Sequence, residues 1–215
     1  MAQPGWIGGE IVAWAQATAR TLLADLDNRL SHVEAVGRRA EWVGQHVCDE
    51  DRVPLLAAAY LHDIGYAAQL RVTGLHPLDG ARWLRAQGVD ERVCNLVAYH
   101  SGARFEAEER GLVDDLEAFD PEEGPAMDAL IFADMTTARD GSYVSFQVRL
   151  TDILIRYPPS DPVHRAMVRA GPVLRGSIDR TLERLAAAGQ PMYGSAALQG
   201  SAGFAAILMG APLAR

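Results

Sequence analysis

Apolar residues recur at three- and four-residue spacing along nearly the whole chain, and segments that alternate apolar with polar are almost absent. This pattern predicts helices throughout, and the fold class is read as all-α. After a loose arm over residues 1–8, Ile11, Ala15, Ala19, Leu22 and Leu23 trace a first amphipathic helix. Asp25 to Arg29 reads as a polar break. Ser31 followed three residues later by Glu34 has the form of a capping box, opening a second helix with Val33, Val36, Ala40 and Val43 inward. His32 would sit in its first turn, beside Arg29. Pro54 suits the first turn of a third helix. Within that helix Leu55 to Leu61 is almost wholly apolar, so it should be buried on most of its faces, and it should end near Ile64 and Gly65.

A loop then runs to Gly74, and Pro77 opens a helix through Trp83 and Leu84, with His76 at its N-terminal edge and Gly88 closing it. Asp90 starts the next, carrying Val93, Leu96, Val97 and His100, and Ser101-Gly102 breaks it. Residues 101–124 are strongly acidic and read as a mostly solvated connector with short helices. Pro125 opens a helix in which Leu130, Ile131 and Ala133 pack, Asp134 follows the apolar run, and Gly141 ends the unit. Phe146, Leu150, Ile153, Leu154 and Tyr157 mark another amphipathic helix. A last long one begins at Asp161-Pro162 and should kink at Gly171-Pro172. The expected organisation is an N-terminal arm and helix (1–28), a core (29–138), C-terminal helices packed on it (139–188) and a flexible tail (189–215).

At 215 residues the chain is long enough for one well-packed domain. No apolar run approaches the roughly 18 residues of a membrane span, and the N-terminus lacks the layout of a signal peptide, so the expectation is a soluble cytoplasmic protein without a membrane partner. Cys48 and Cys94 have no metal-like spacing and read as buried small hydrophobes. A net charge of −8 argues against nucleic acid as a partner. All twenty basic residues are arginine, so Schiff-base chemistry and a P-loop lysine are excluded, and any phosphate clamp must use arginine, backbone amides or metal.

What the chemistry turns on is the His62-Asp63 pair that ends the apolar third helix. A lone carboxylate buried there costs several kcal/mol or has its pKa forced upward unless a cation compensates, and a divalent metal is the compensation that His beside Asp suggests. Further candidates fall near the ends of other predicted helices: His32, His76, His100 and Asp134. Four of the six histidines are in this set, while His46 and His164 sit in polar contexts and read as surface residues.

The ordered series His32, His62-Asp63 in Leu-His-Asp-Ile-Gly, His76 in His-Pro-Leu-Asp-Gly-Ala, His100 in Tyr-His-Ser-Gly and Asp134 in Phe-Ala-Asp resembles the HD-domain superfamily of metal-dependent phosphohydrolases, over roughly residues 29–138. The resemblance implies a helical bundle in which His32, His62, Asp63 and Asp134 hold one divalent ion. It further implies that His76 and His100 help hold a second, with Asp63 bridging the two and acting in catalysis. Imidazole and carboxylate suit Fe, Mn, Co or Zn, and two ions about 3.5–4 Å apart can hold a hydroxide nucleophile and clamp phosphoryl oxygens. Arg29 and Arg104 are the candidates for binding substrate phosphate. One departure is Tyr66, where many relatives continue His-Asp-Ile-Gly with lysine.

The expected function is therefore hydrolysis of a small phosphate ester, a nucleotide or related metabolite. A mixed-valent di-iron oxygenase shares the ligand series and would differ in needing iron and dioxygen. A non-catalytic ligand-sensing module is the third reading, and it predicts decayed ligand positions, which this chain does not have. Substrate, metal identity and oligomeric state are not set by the sequence.

Overall fold

The computed structural model describes residues 9–47 and 49–190. They form helices α1 (Gly9–Leu22), α2 (Asp27–Val47), α3 (Arg52–Leu61), α4 (His76–Ala86) and α5 (Glu91–Tyr99), then α6 (Ala103–Arg110), α7 (Val113–Leu116), α8 (Pro125–Met135), α9 (Phe146–Arg156) and α10 (Pro162–Ala187). Among the described residues there is no strand, and the sole β-type pairing is an isolated bridge between Thr137 and Tyr143. The fold is all-helical. The expected arm (1–8), Cys48 and residues 191–215 of the expected tail lie outside the described residues. No described helix is long and apolar enough to cross a membrane.

Helix α3 is the hub, and its composition explains why. Every residue from Leu55 to Leu61 is buried, and α1, α2, α5 and α8 all pack against it. A helix enclosed on all sides has no polar face to keep, and each large apolar side chain it buries is worth roughly 1.5–3 kcal/mol. Its C-terminus therefore opens into the interior, where His62 follows as the C-cap residue. The helix stops at Leu61, short of the expected Ile64–Gly65, because Asp63 leaves helical geometry and Ile64–Tyr66 tightens into a 3-10 turn.

Three further expectations are corrected. First, α2 starts at Asp27, a turn before the expected cap, because the Leu26 carbonyl accepts from the N–H groups of Arg29 (2.7 Å) and Leu30 (2.9 Å). Ser31 thus lies inside the helix, His32 falls in the second turn, and Glu34 pairs with Arg20 of α1 at 2.8 Å in place of a capping box. Second, the acidic stretch 101–124 is less solvated than expected. Leu116 and Phe119 are buried, α6 packs on α10, and Glu108 and Glu109 bond Arg165 and Arg169 of that helix. Third, His164 is half-buried and ties α10 to the end of α9, its Nδ1 lying 2.8 Å from the Tyr157 carbonyl. Helix α10 runs continuously through Pro172. It is bound to α8 by the buried Asp128, which accepts from Arg180 (2.9 Å) and Arg184 (2.7 Å). Cys94 is a free thiol pushed up to about 12 by burial, the behaviour of a small hydrophobe.

Gly65 matters for a reason other than ending a helix. A Cβ there would lie 2.0 Å from the His76 carbonyl oxygen and 2.8 Å from the Gly80 nitrogen, both backbone atoms that cannot turn aside. Its lack of a side chain is what lets the first turns of α4 press against the turn after Asp63, bringing His76 to the interior. Gly65→Ala should therefore destabilise the protein by about 1–3 kcal/mol, the cost of overpacking, and loosen His76. Chemical denaturation of both proteins checks this; equal stability would show that α4 does not need the close approach.

Candidate metal centre

Three imidazoles are locked by backbone carbonyls. His62 Nδ1 lies 2.8 Å from the Ala59 carbonyl and His100 Nδ1 2.7 Å from that of Val97. Each partner is three residues back in the chain, among the last carbonyls of α3 and α5, which lack an intrahelical partner. His32 Nδ1 lies 3.1 Å from the Ala138 carbonyl, across 106 residues. A carbonyl only accepts, so Nδ1 carries the proton in all three and each Nε2 is free to present a lone pair or a second proton. The His62 Nε2 is buried and has no hydrogen-bond partner. Such an atom needs an explanation, and a ligand is one.

The carboxylates complete two groups. Asp134 Oδ1 lies 3.0 Å from His32 Nε2 and 4.0 Å from His62 Nε2, while its Oδ2 accepts from the Ser101 hydroxyl. Asp63 divides its oxygens. Oδ2 faces His62 (3.4 Å) and His32 (3.9 Å), whereas Oδ1 faces His76 (3.2 Å) and His100 (4.0 Å). The His76 and His100 Nε2 atoms lie 3.3 Å apart. His32, His62 and Asp134 form one buried triad that could hold a metal ion, and His62, Asp63 and His100 form another. All of these side chains are buried; His76, at the cleft, is half-buried. Imidazole and carboxylate without thiolate is a donor set for borderline to hard divalent ions, and the orphaned His62 nitrogen fits such an ion.

Electrostatics follow from this crowding. Burial alone would raise the Asp63 and Asp134 carboxyls, yet both are held well below the usual range. For Asp63 the Arg29 guanidinium and His62 outweigh burial; for Asp134 the His32 hydrogen bond, the His62 and His32 charges and Arg149 do. Burial likewise opposes the His62 imidazolium, but Asp63 and Asp134 overcome it and raise the pKa. His100 is pushed down to about 3, chiefly by burial and then by His62 and His76, against the smaller upward pull of Asp134 and Asp63.

Of the residues expected to bind substrate, Arg29 lies in the cleft wall, donating to Asp63 Oδ2 at 2.6 Å with its guanidinium 3.8 Å above the Tyr66 ring. Arg104 lies elsewhere. It is exposed, 3.8 Å from Glu108, and lines a separate cavity with Tyr99 and Phe119. Sequence reasoning missed Ser101 and Arg149. Ser101 has φ +49°, the one non-glycine in the left-handed region among the described residues, which turns its hydroxyl to Asp134. Arg149 is 5% exposed, with Nη2 3.6 Å from Asp134 Oδ1. It had a signal: three residues after Phe146 and four before Ile153, it falls on the apolar stripe of α9.

Helices bringing buried imidazoles and carboxylates together at the end of the buried run Leu55–Leu61 define a protein with a candidate metal site. Residues 29–129 match the family model described as HD domain, and this part of the chain is an HD domain. A tRNA (cytidine(56)-2'-O)-methyltransferase from Thermoplasma volcanium is 35% identical over 83 residues, covering 39% of this chain and 24% of that protein. The chain thus matches about a quarter of the length of that curated relative. No solved structure matches.

The two shifted histidines give the metal-free protein a pH dependence with separable windows. His100 is neutral in the fold below its ordinary value of 6.5, so its contribution is complete above 6.5 and is lost as pH falls toward about 3. His62 has a raised pKa, so its contribution is complete below 6.5 and is lost as pH rises through the folded value. Stability of metal-free protein should therefore fall between pH 6.5 and 4.5 by up to about 1.4 kcal/mol per unit for one group. His100→Gln should flatten this slope. Urea titrations at several pH values decide it, and an unchanged slope in the variant would mean that His100 is not held neutral.

Proposed function

We propose that the chain is a metal-dependent phosphohydrolase that cleaves a small phosphate ester, a nucleotide or related metabolite. The observation that carries this reading is the Asp63 carboxylate, one oxygen toward His62 and His32 and the other toward His76 and His100. In it His32, His62, Asp63 and Asp134 would hold one divalent ion, and Asp63, His76 and His100 would hold a second. Bound ions would supply Lewis acidity, lowering the pKa of a water and screening phosphoryl oxygens. The reaction consumes one water and one ester and yields an alcohol and phosphate.

The chain's own residues set the stage for that chemistry. The carbonyls of Ala59, Val97 and Ala138 fix the imidazole orientations, and Ser101 and Arg149 fix Asp134. Arg29 offsets the Asp63 charge and faces the cleft, where it can meet a substrate oxygen. The cleft itself holds about 70 Å³, far below the roughly 300–1,000 Å³ of pockets for drug-sized ligands. That supports a substrate of which little more than the reacting group enters.

The test is elemental analysis of anaerobically purified protein, with Asp63→Ala alongside, followed by assay of phosphate esters with and without dioxygen. We expect about two equivalents of metal, largely lost in the variant, and phosphate release that does not need oxygen. Activity that requires both iron and dioxygen would replace hydrolysis with oxidation. Absence of metal from both proteins after reconstitution would end the enzyme reading.

A further inference from the structure

The metal-site cleft has a second wall, contributed by α9 beyond the HD match. Arg149 and Arg156 lie seven residues apart on that helix and both line the cleft that contains Asp63, His76 and His100. Arg149 is almost fully buried, yet its Nε and Nη1 have no hydrogen-bond partner, and neither does the Arg156 Nε. Arginine is never neutral, so these N–H groups are charged donors out of water with nothing to donate to.

What lies between them indicates their use. Asp152, one turn on from Arg149, places its Oδ2 3.7 Å from Arg149 Nη1 and 3.0 Å from Arg156 Nη2. One oxyanion thus already fits between the two guanidiniums. Asp152 is 46% exposed, so its side chain can turn out to water and yield the position. Of the other charged groups at the cleft, Arg29 is engaged with Asp63 and Glu106 with Arg110 at 2.7 Å. Burial lowers the Arg156 pKa and nearby Arg149 lowers it further, against the pull of Asp152. Beyond the arginines the wall turns apolar, with Ile153, Tyr157, Val163 and Met167.

We propose that Arg149 and Arg156 form an anion subsite that grips the terminal phosphoryl group of a phosphomonoester, with Asp152 as the internal oxyanion that substrate displaces. This deepens the phosphohydrolase reading and rests on it for the word substrate; the anion subsite itself does not. A planar fork matches the oxygens of a terminal phosphoryl group, and a monoester keeps three of them free where a diester keeps two.

Calorimetric titration of inorganic phosphate into the manganese-reconstituted protein tests the subsite, with metal content measured in every sample. Arg156→Gln, at the half-buried end, should weaken phosphate binding roughly tenfold or more without changing metal content. Asp152→Asn should tighten it several-fold, which a merely structural Asp152 would not do. Arg149→Lys, which keeps charge but not the fork, should weaken binding less than Arg149→Gln. Phosphate affinity unchanged in Arg156→Gln and Asp152→Asn, or no phosphate binding by the wild type, would overturn the subsite and leave the hydrolase reading standing. Arginine-dependent phosphate binding without hydrolysis of any ester would keep the subsite and remove the hydrolase.

Discussion

Two carboxylates and several imidazoles packed out of water cannot all keep their ordinary protonation states unless positive charge stands beside the acids. The whole interior of this protein is arranged around that constraint. Helix α3 has no polar face, so its end can only open inward, and what it delivers there is His62 followed by Asp63. Arg29 from α2 and Arg149 from α9 approach the two acids from opposite sides in sequence, before and after the other candidate ligands. Both acids are consequently ionised far below neutral pH, ready as ligands. His62 is the member whose protonated form the two acids favour, so a metal at its Nε2 would compete with a proton there.

Helix ends do the positioning. The final carbonyls of α3 and α5 have no intrahelical partner, and each accepts from the Nδ1 of the histidine just beyond it. Those ends also carry the negative pole of the helix dipole, which favours a cation nearby. His32 lies within α2 and cannot use such a device, so it takes the carbonyl of Ala138, in the loop after α8. That loop comes close only because Gly141, at φ +83°, has its α-carbon against Ser31: a Cβ would lie 3.0 Å from the Ser31 carbonyl. The same economy of space recurs at Gly65 and His76. Glycine is used at both places for contact with backbone.

Much of this was legible in the sequence. Apolar spacing located α1, α2, α4, α5, α9 and α10, which each bury one stripe, and apolar runs located α3 and α8, whereas α6 and α7 lie in the acidic stretch read only as a connector with short helices. The six His and Asp positions were readable because each follows an apolar run or a predicted break in the chain, and the structure brings all six together around Asp63 and Asp134. What spacing could not convey was partner choice. The Ser31–Glu34 pattern fits a cap, but Glu34 found Arg20, and the true helix start lay a turn earlier. Arg104 follows His100 closely, yet the left-handed turn at Ser101 and Gly102 intervenes and sends it outward. Arg149 was hidden by its charge: an arginine on an amphipathic helix is ordinarily assigned to water, although its register placed it with Phe146 and Ile153.

Tyr66 shows how a local departure is absorbed by the fold. The position after Ile64-Gly65 is lysine in many proteins that this chain resembles, and its replacement suggested a lost positive charge. In the structure that charge comes from Arg29, which reaches Asp63 while stacking on the Tyr66 ring, and the ring's other neighbour is His76, 4.0 Å away and nearly parallel. Tyr66 is half-buried and its phenol pKa is driven upward, chiefly by desolvation, so it acts as a neutral plate between a cation and a candidate ligand. An aromatic face favours a guanidinium held against it, and stacking fixes the plane of the imidazole. In this chain the cation beside Asp63 comes from α2, and Tyr66 orients both Arg29 and His76. A lysine at residue 66 would supply charge without a plate, and Arg29 and His76 would each lose the surface that holds them in register with Asp63.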